Sequence, residues 1–311
     1  MISIGQGQII GSKSLNSFGY INDPSRMANL LLQSSFDNCV MTQHGSTEVT
    51  LGPVSEFPYC NMANLDGGAS TITWMEDGTL QTPHSGAKCL GLRSGNILSN
   101  VRVEWQLTHL DGGGSYPSGT HGLNIPNDVY ASVWLLLPSN WSIPPARPGY
   151  SPNWSELMNP FTLTDSNMNP KCTVHIHRDS SGVYDLTLEY DDTGGGSGGL
   201  SSKLWWVIFK PWDISTILGG WHKWSWFIRR STDPNIAYVQ MWLDNQLLGT
   251  FNDQNGTSLP GRTFTMRTKG ASSTNWWIAF AKSYLNDAQN PGDGNYHYIY
   301  ADDLQVWDGI P

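Results

Sequence analysis

The chain has 311 residues, of which 26 are acidic and 17 basic, so its formal net charge at pH 7 is −9. Such a chain has no global positive field that would attract it to nucleic acid, and we expect no nucleic-acid partner. Only 14% of the residues are charged, whereas 39% are hydrophobic and 12% aromatic, a composition that argues against disorder and predicts a large folded core.

The first predicted segment, residues 1–35, is an arm without a core of its own. It is rich in Gly, Ser, Asn and Gln, and its apolar residues form short islands such as Ile9-Ile10 and Leu30–Leu32. Such a segment is either disordered or docked on another surface, and an exposed sheet edge offers unpaired backbone groups for strand addition. Docking within the same chain is the default expectation. Docking on a second copy would make the arm the contact of a homo-oligomer.

Residues 36–311 are predicted to form one β-rich domain. Short alternating runs are separated by Gly, Asn, Asp and Pro clusters, a pattern typical of a sandwich or barrel. Strands are predicted at 70–76, 87–93, 100–108, 129–137, 172–178, 183–190, 204–210, 222–230, 237–244, 263–268, 275–281 and 296–307. Two short helices are predicted, at Trp154–Met158 and Trp212–Leu218. The apolar stretches are too short to cross a bilayer, so we expect no membrane insertion.

Alternation within two of these strands places polar side chains on one face. One strand alternates apolar residues with Arg102, Glu104 and Gln106, and a later strand does so with His175 and His177. Solvation of the two polar rows is one interpretation. The other is a site in which the two rows converge on one sheet.

Tryptophan is the second signal, with 15 residues in the chain and adjacent pairs at Trp205-Trp206 and Trp276-Trp277. Because neighbouring residues of a strand point to opposite faces, one ring of each pair is expected on the sheet surface. We assign Trp206 and Trp277 as rings that stack on sugar. The alternative for each ring is a place in the core or in a subunit contact.

Several longer segments carry a family resemblance. They are 84–92 (HSGAKCLGL), 130–138 (YASVWLLLP), 221–230 (WHKWSWFIRR), 238–249 (YVQMWLDNQLLG) and 300–309 (YADDLQVWDG). In these segments the chain resembles the concanavalin-A-like jelly-roll superfamily, and within it the polysaccharide lyases of the alginate and glucuronan lyase type. The resemblance implies an all-β jelly-roll β-sandwich of two antiparallel sheets with few short helices. The superfamily also contains lectins and structural proteins, so the fold alone leaves the function open.

Three short motifs resemble the signatures of these lyases. Residues 102–105 (RVEW) keep both charged positions of their Arg-Ser/Thr-Glu-Leu strand, and 175–177 (HIH) keeps the final residue of Gln-Ile-His. Residues 280–284 (FAKSY) are similar to Tyr-Phe-Lys-Ala-Gly-x-Tyr, with a shorter spacing from Lys to Tyr. The resemblance implies a catalytic set made of Arg102, His175, His177 and Tyr284.

Uronate β-elimination explains why these residue types would be needed. The site must neutralise the carboxylate beside the weakly acidic C5 proton, remove that proton and protonate the departing O4. Arg102 would pair with the carboxylate, His177 or His175 would act as the base, and Tyr284 would donate or relay a proton. Glu104 would orient Arg102. The alternative for Arg102 and Glu104 is an exposed ion pair of little energetic value.

Glu104, Gln106, Trp206 and Trp277 complete the predicted site as substrate-binding residues. The leading hypothesis is a glycan-binding protein that cleaves an acidic, uronate-containing polysaccharide by β-elimination. The rival is a noncatalytic lectin-like protein or a structural surface or filament subunit of the same fold, so whether the chain is an enzyme stays open. We expect an extracellular or cell-surface location, although the first thirty residues contain no recognisable secretion signal.

No cofactor is assigned with a defined site, and Ca²⁺ is the one candidate. The acidic pairs Asp191-Asp192 and Asp302-Asp303, with Asp293 and Asn295, carry suitable oxygen ligands, but solvated turns are the favoured interpretation. The four cysteines lack the spacing of a zinc site and permit up to two disulfides; they lie at positions 39, 60, 89 and 172.

Overall fold

The architecture comes from a computed structural model of the chain, which describes residues 28–44, 48–52, 60–63, 72–94, 101–110, 127–164, 169–193, 202–258, 266, 268, 275–286 and 297–311. The strands in these ranges are β1 (Leu30–Ser34), β2 (Val40–His44), β3 (Glu48–Gly52), β4 (Cys60–Ala63), β5 (Ile72–Glu76), β6 (Cys89–Ser94), β7 (Val101–Leu110), β8 (Asp128–Leu136), β9 (Asn153–Thr164), β10 (Asn169–Arg178), β11 (Tyr184–Thr193), β12 (Ser202–Trp212), β13 (Trp221–Arg229), β14 (Tyr238–Leu243), β15 (Gln246–Phe251), β16 (Thr257–Ser258), β17 (Asn275–Asn286) and β18 (His297–Trp307).

These strands form two antiparallel sheets. The eight-stranded sheet has the order β15-β14-β13-β8-β18-β6-β5, with β1 also paired to β18, and the ten-stranded sheet has the order β16-β12-β11-β10-β9-β17-β7-β4-β3-β2. Half of the sixteen pairings among the described strands join strands that are not consecutive in the chain, such as β8 with β18 and β7 with β17, as expected of a sandwich rather than of a simple meander. The predicted all-β sandwich of two antiparallel sheets is therefore confirmed.

The core lies between the two sheets and follows the alternation of their central strands. Val133 of β8 and Trp226 of β13 project from one sheet, and Val174 of β10 and Leu188 of β11 project from the other. All four side chains are fully buried. Burial of such side chains is worth about 1.5–3 kcal/mol each, so this layer is the main source of stability.

The helix predicted at Trp154–Met158 is wrong, because these residues lie in the central strand β9. The pairing of β9 with β10 shifts by one residue between Glu156 and Met158, which is a β-bulge. The bulge buries the consecutive residues Leu157 and Met158 together in the core. Leu157 and Met158 follow Trp154 by three and four residues, which is also the spacing of apolar residues on one face of an amphipathic helix.

The second predicted helix is present in shorter form. A 3-10 helix spans Ile214–Ile217, and the carboxylate of Asp213 caps it by accepting a hydrogen bond from the backbone N–H of Ser215. Gly219 follows with φ +76°, a conformation that glycine adopts without strain. Within the described residues no helix is long and apolar enough to cross a membrane.

The described part of the N-terminal arm pairs with the end of the same chain. Strand β1 lies antiparallel to β18, with Leu30 opposite Trp307 and Ser34 opposite Leu304. The side-chain amide of Asn29 donates to the Asp308 carboxylate at 2.8 Å. The remainder of the arm, residues 1–27, lies outside the described residues, and the boundary at residue 35 and the single domain from 36 to 311 stay predictions.

The cysteines that the structure describes in full are buried. Cys39, Cys89 and Cys172 form no disulfide with one another. Burial raises the pKa of the Cys89 thiol to about 12 and that of Cys172 well above its ordinary value, so both stay protonated at neutral pH. The side chain of Cys60 lies outside the described residues.

A second, smaller apolar cluster covers the outer side of the eight-stranded sheet. Cys89, Leu136 and Tyr300 are buried there, with Trp74 and Trp221 packed beside them. Both indoles donate hydrogen bonds within the chain, Trp74 Nε1 to Glu76 and Trp221 Nε1 to the Thr82 carbonyl. The bond from Trp221 fastens the loop 77–88 over this cluster.

Carboxylates of β18 hold the other end of this loop. The backbone N–H of Ser85 donates to Asp302 at 3.1 Å, and the ring of His84 bonds to Asp303 at 2.6 Å and stacks on Trp134 at 3.8 Å. Asp302 is fully buried. Burial, reinforced by the neighbouring Asp303 carboxylate, raises the pKa of Asp302 to about 7.

Gly91→Ala should lower the free energy of unfolding by about 1–3 kcal/mol, because its new Cβ overpacks this cluster. A Cβ on Gly91 would collide with the Trp74 ring. Gly220→Ala is the control, since its Cβ would meet only the His222 ring at 3.5 Å. Denaturant unfolding measures both variants, and equal stabilities would contradict the tight packing of Trp74 on Gly91.

Asp302→Asn should remove part of the pH dependence of stability. The folded chain keeps the proton on Asp302 up to about pH 7, whereas an unfolded aspartate releases it near its ordinary pKa. Between these pKa values the folded state binds the extra proton, so this group makes stability fall as the pH rises. The difference in melting temperature, variant minus original chain, should therefore become more positive from pH 5 to pH 8. A constant difference would contradict the raised pKa.

Candidate functional site

The outer side of the ten-stranded sheet carries a concentration of polar side chains, which we call the polar face. It is defined by Glu156, His175, His177, Asp185, Glu189 and Lys282. Strand β10 explains its origin, because Val174 and Ile176 point into the core and the alternate residues Thr173, His175 and His177 must point outward.

Strand β11 extends the polar face by the same alternation. Leu186, Leu188 and Tyr190 lie in the core, whereas the residues between them are polar. Asp185, Thr187, Glu189 and Asp191 are those outward residues, and each is between 3% and 6% exposed. Buried polar groups are costly unless they have partners, so the polar face is an organised network.

Each histidine of the polar face lies beside a carboxylate of β11. His177 Nδ1 is 3.2 Å from Asp185 Oδ1, and His175 Nε2 is 3.7 Å from Glu189 Oε2. The two imidazole rings are 5.5 Å apart between centroids. The structure therefore brings together the two predicted histidines, each beside an acidic residue of the next strand.

The two histidines differ in accessibility. His175 is 3% exposed, whereas the side chain of His177 is 13% exposed. The second ring nitrogen of His177, Nε2, is buried and has no hydrogen-bond partner within the described part of the chain. The two ring nitrogens of His177 therefore differ: Nδ1 lies beside a carboxylate, and Nε2 has no partner among the described residues.

A buried lysine network occupies the middle of the polar face. Lys282 of β17 is in direct contact with the Glu156 carboxylate of β9, and both side chains are at most 5% exposed. Lys282 Nζ also donates to Asn159 Oδ1 at 3.1 Å, and the Asn159 amide donates to Thr173 Oγ1 at 2.8 Å. These contacts link three adjacent strands and hold the floor of the site rigid.

Aromatic rings border the histidines. The Trp205 ring lies 5.8 Å from His177 and 6.2 Å from His175, and the Trp154 ring lies 5.1 Å from His175. Trp206 is on the other side of β12: it is 5% exposed, packs in the core and donates from Nε1 to Asn255 at 2.8 Å. Of the adjacent residues Trp205 and Trp206, Trp205 is therefore the one whose ring lies on the sheet surface.

Backbone pairing places the other predicted residues in the same sheet. Arg102 of β7 is opposite Tyr284 of β17, Tyr284 is also opposite Glu156, and Glu156 is opposite His175. Arg102, Tyr284, Glu156 and His175 thus form one continuous row across four adjacent strands. Three strand spacings separate its ends, about 14 Å.

Three more assigned residues have positions only through their backbones. Glu104 is opposite Lys282, and Gln106 is opposite Ala279. Trp277 is opposite Thr108 on β7 and Thr162 on β9. The side chains of these residues, like those of Arg102 and Tyr284, lie outside what the structure describes, so their roles stay predictions.

Sequence reasoning did not select several members of the polar face. Asp185 and Glu189 follow the same alternation that identified the histidines, so this signal was available in β11. Glu156 was hidden by the bulge, which made its segment look helical. Lys282 lies inside the 280–284 motif, but its contact with Glu156 joins residues 126 positions apart and has no local signature.

Metal ligation has no support in the described residues. Within them no group of three or more His, Cys, Asp or Glu side chains is placed to hold an ion. Asp302 and Asp303 instead accept hydrogen bonds from the loop 77–88. Asp293 and Asn295 lie outside the described residues, as does the side chain of Asp192.

Comparisons with known proteins support the fold. No protein-family model and no curated protein matches the chain. Among solved structures, a variant of the alginate lyase Aly36B with a bound alginate trisaccharide has a TM-score of 0.50 and 10% identity, covering 90% of this chain and 98% of that one. The predicted resemblance to the alginate lyase fold is confirmed.

Two further solved structures are more distant. The alginate lyase vAL-1 from Chlorella virus has a TM-score of 0.42 and 9% identity, covering 77% of this chain and 93% of that one. The receptor-binding domain of botulinum neurotoxin type G has a TM-score of 0.39 and 9% identity, covering 91% of this chain and 48% of that one. At such identities a likeness concerns the fold alone, so function must be argued from the polar face.

Lys282→Met should lower the free energy of unfolding by about 3–5 kcal/mol, because it leaves the Glu156 carboxylate buried with its main cation removed. The double variant Lys282→Met, Glu156→Gln should recover part of this loss. Lys210→Met is the control, since the side chain of Lys210 is 56% exposed and solvent screens its contact with Asp185. Equal losses for Lys282→Met and Lys210→Met in denaturant unfolding would contradict a buried pair.

Proposed function

We propose that the polar face binds an acidic polysaccharide and cleaves it by β-elimination at a uronate residue. The observation that carries this proposal is the arrangement of His177, with Nδ1 beside Asp185 and Nε2 buried without a partner in the described part of the chain. That arrangement supplies a base close to the row across the sheet that contains Arg102 and Tyr284. The alginate lyase fold supports the proposal only as an analogy.

In this proposal His177 removes the C5 proton. The Asp185 carboxylate keeps a proton on Nδ1, so Nε2 is the basic nitrogen, and it stabilises the imidazolium that forms when Nε2 accepts the proton. The electron pair of the broken C5–H bond becomes the C4=C5 double bond, and the C4–O4 bond breaks. His175, which lies beside Glu189, is the second imidazole close to the proton transfer.

Arg102 neutralises the uronate carboxylate in the same proposal. Removal of the C5 proton places negative charge on the adjacent carboxylate, so a cation in contact with it lowers the barrier. A bidentate guanidinium is suited to this task, and Glu104 and Gln106 of the same strand orient Arg102 and bind sugar hydroxyls. An extended arginine and a histidine can together bridge a separation of about 14 Å with one sugar between them.

Tyr284 is the proposed acid. Its backbone lies between Arg102 and Glu156 in the row, so it occupies the strand next to the carboxylate-binding arginine. A phenol there donates its proton to O4 as the C4–O4 bond breaks, and the departing chain leaves as an alcohol. Trp277 and Trp205 are the proposed sugar-stacking rings, because Trp206 packs in the core.

Several properties accompany this function as proposals. An extracellular or cell-surface location would bring the protein to its polysaccharide. A homo-oligomer built through the N-terminal arm, residues 1–35, would add avidity for a polymeric ligand. The rival function, a lectin-like or structural protein of the same fold, predicts glycan binding or assembly without the unsaturated product.

The proposal predicts that the protein produces unsaturated uronate from at least one uronate polymer, measured by the ultraviolet absorbance of the C4=C5 product. The panel contains alginate, glucuronan and glycosaminoglycans. Absence of the product with every polymer, from folded protein, would contradict β-elimination and favour the binding or structural function.

Variants on the active polymer then assign the base. His177→Ala should lower kcat by at least about 100-fold, and Asp185→Asn should lower it by a smaller factor, because the carboxylate acts through the imidazole. Lys210→Gln is the matched control: it removes the exposed partner of Asp185 and should change kcat little. A His177→Ala variant with unchanged kcat would exclude His177 as the base.

A further inference from the structure

A row of uncharged side chains crosses the outer side of the eight-stranded sheet, and we call it the neutral row. Backbone pairing aligns its members on five successive strands: Trp242 of β14, Ser225 of β13, Ser132 of β8, Gln305 of β18 and Gln33 of β1. Residues opposite each other in a sheet share a face, and the neighbouring Met241 and Val133 lie in the core, so the row faces outward. Four strand spacings separate its ends, about 19 Å.

Two serines form the middle of the neutral row. Ser132 and Ser225 are opposite each other, and each is only 1% exposed although it is on the outer side of the sheet. Their hydroxyls have no hydrogen-bond partner in the described part of the chain. Buried hydroxyls without partners are costly and uncommon in folded proteins, so two adjacent ones indicate a place where a ligand supplies the partners.

Aromatic rings line one side of the neutral row. Phe227, Tyr130 and Trp307 are opposite one another on β13, β8 and β18, two residues along each strand from the row. Tyr130 and Trp307 are half-buried, so part of each ring faces the solvent. The rings of Tyr130 and Trp242 are 6.1 Å apart although β13 separates their strands, so both lean over β13. Rings beside hydroxyl groups suit a sugar, which offers a C–H face and hydroxyls.

Charge distinguishes the neutral row from the polar face. The neutral row offers hydroxyls, amides and an indole, which donate and accept hydrogen bonds without a net charge. Two pairs of opposite charge flank it. Arg229 Nε is 2.5 Å from Asp128 Oδ1, and Lys223 and Asp302 are opposite Trp134 from its two sides. Such surroundings favour an uncharged sugar over a uronate.

We infer that the neutral row is a noncatalytic binding site for a linear, uncharged polysaccharide. The polymer lies across the strands along the row, with sugar rings on Tyr130 and Trp242 and sugar hydroxyls bonded to Ser132 and Ser225. The two rings change rotamer to admit those hydroxyls, a motion that is fast for side chains on a sheet surface. This site is on the opposite surface of the sandwich from the polar face, and it does not depend on the proposed β-elimination.

Affinity electrophoresis of the full chain tests this site, in gels that contain glucomannan, mixed-linkage β-glucan or pullulan. At least one of these neutral polymers should slow migration, and Trp242→Ala should raise its Kd at least about 10-fold. Trp205→Ala is the matched control, because it removes an indole from the outer side of the other sheet and should leave this Kd unchanged. No retardation by any of the three polymers would overturn the inference, as would equal losses of binding in the two variants.

The double variant Ser132→Ala, Ser225→Ala tests the hydroxyls without removing a ring. It should bind the neutral polymer several-fold more weakly while its melting temperature stays equal or rises, because these hydroxyls have no partner among the described residues. Unchanged affinity would overturn their role as ligands. A dimer in sedimentation that dissociates on Trp242→Ala would mean that a second copy of the chain covers this surface, and it would overturn the polysaccharide site.

Discussion

The burial of two apolar sheet faces against each other is the interaction on which the rest of the molecule depends. Each central strand contributes alternate residues to this layer, and the residues between them are forced to the opposite side. In β10 and β11 the burial of Val174 and Leu188 thereby turns His175 and Glu189 outward. The chemistry of the polar face is therefore a consequence of core packing, and a slip of one residue in register would place the imidazoles in the core.

The two outer surfaces of the sandwich have opposite characters. The outer surface of the ten-stranded sheet carries charged and imidazole side chains that contact one another in pairs. The outer surface of the eight-stranded sheet carries Trp74, Trp221 and Tyr300, which lie beneath the loop 77–88. On the aromatic side the hydrogen bonds of the rings and carboxylates are directed to the loop, which fixes it in place. On the polar side the contacts join neighbouring strands, so that surface has a rigid polar floor.

Much of the fold could be predicted from the sequence because sheet alternation is a local property. The strands that became β10, β11 and β13 are visible as alternating runs, and the alternation of β10 also identified His175 and His177. Prediction failed where local pattern and tertiary context disagree. The bulge in β9 buries Leu157 and Met158 together. The contact of Lys282 with Glu156 depends on the pairing of β17 with β9, which is a tertiary feature. The strands β1 to β4 were missed because each has only four or five residues, too few for alternation to be recognised.

The pairing of β1 with β18 joins the beginning of the described chain to its end. Asn29 and Asp308, which are hydrogen-bonded, are 279 positions apart, and β18 also lies between β6 and β8 in the centre of its sheet. The eight-stranded sheet can therefore close only after β18 has been synthesised, so it cannot form in step with the synthesis of its earlier strands. Contacts of such long sequence separation also slow folding in general, and until they form the edges of β6 and β8 remain open to pairing with other chains.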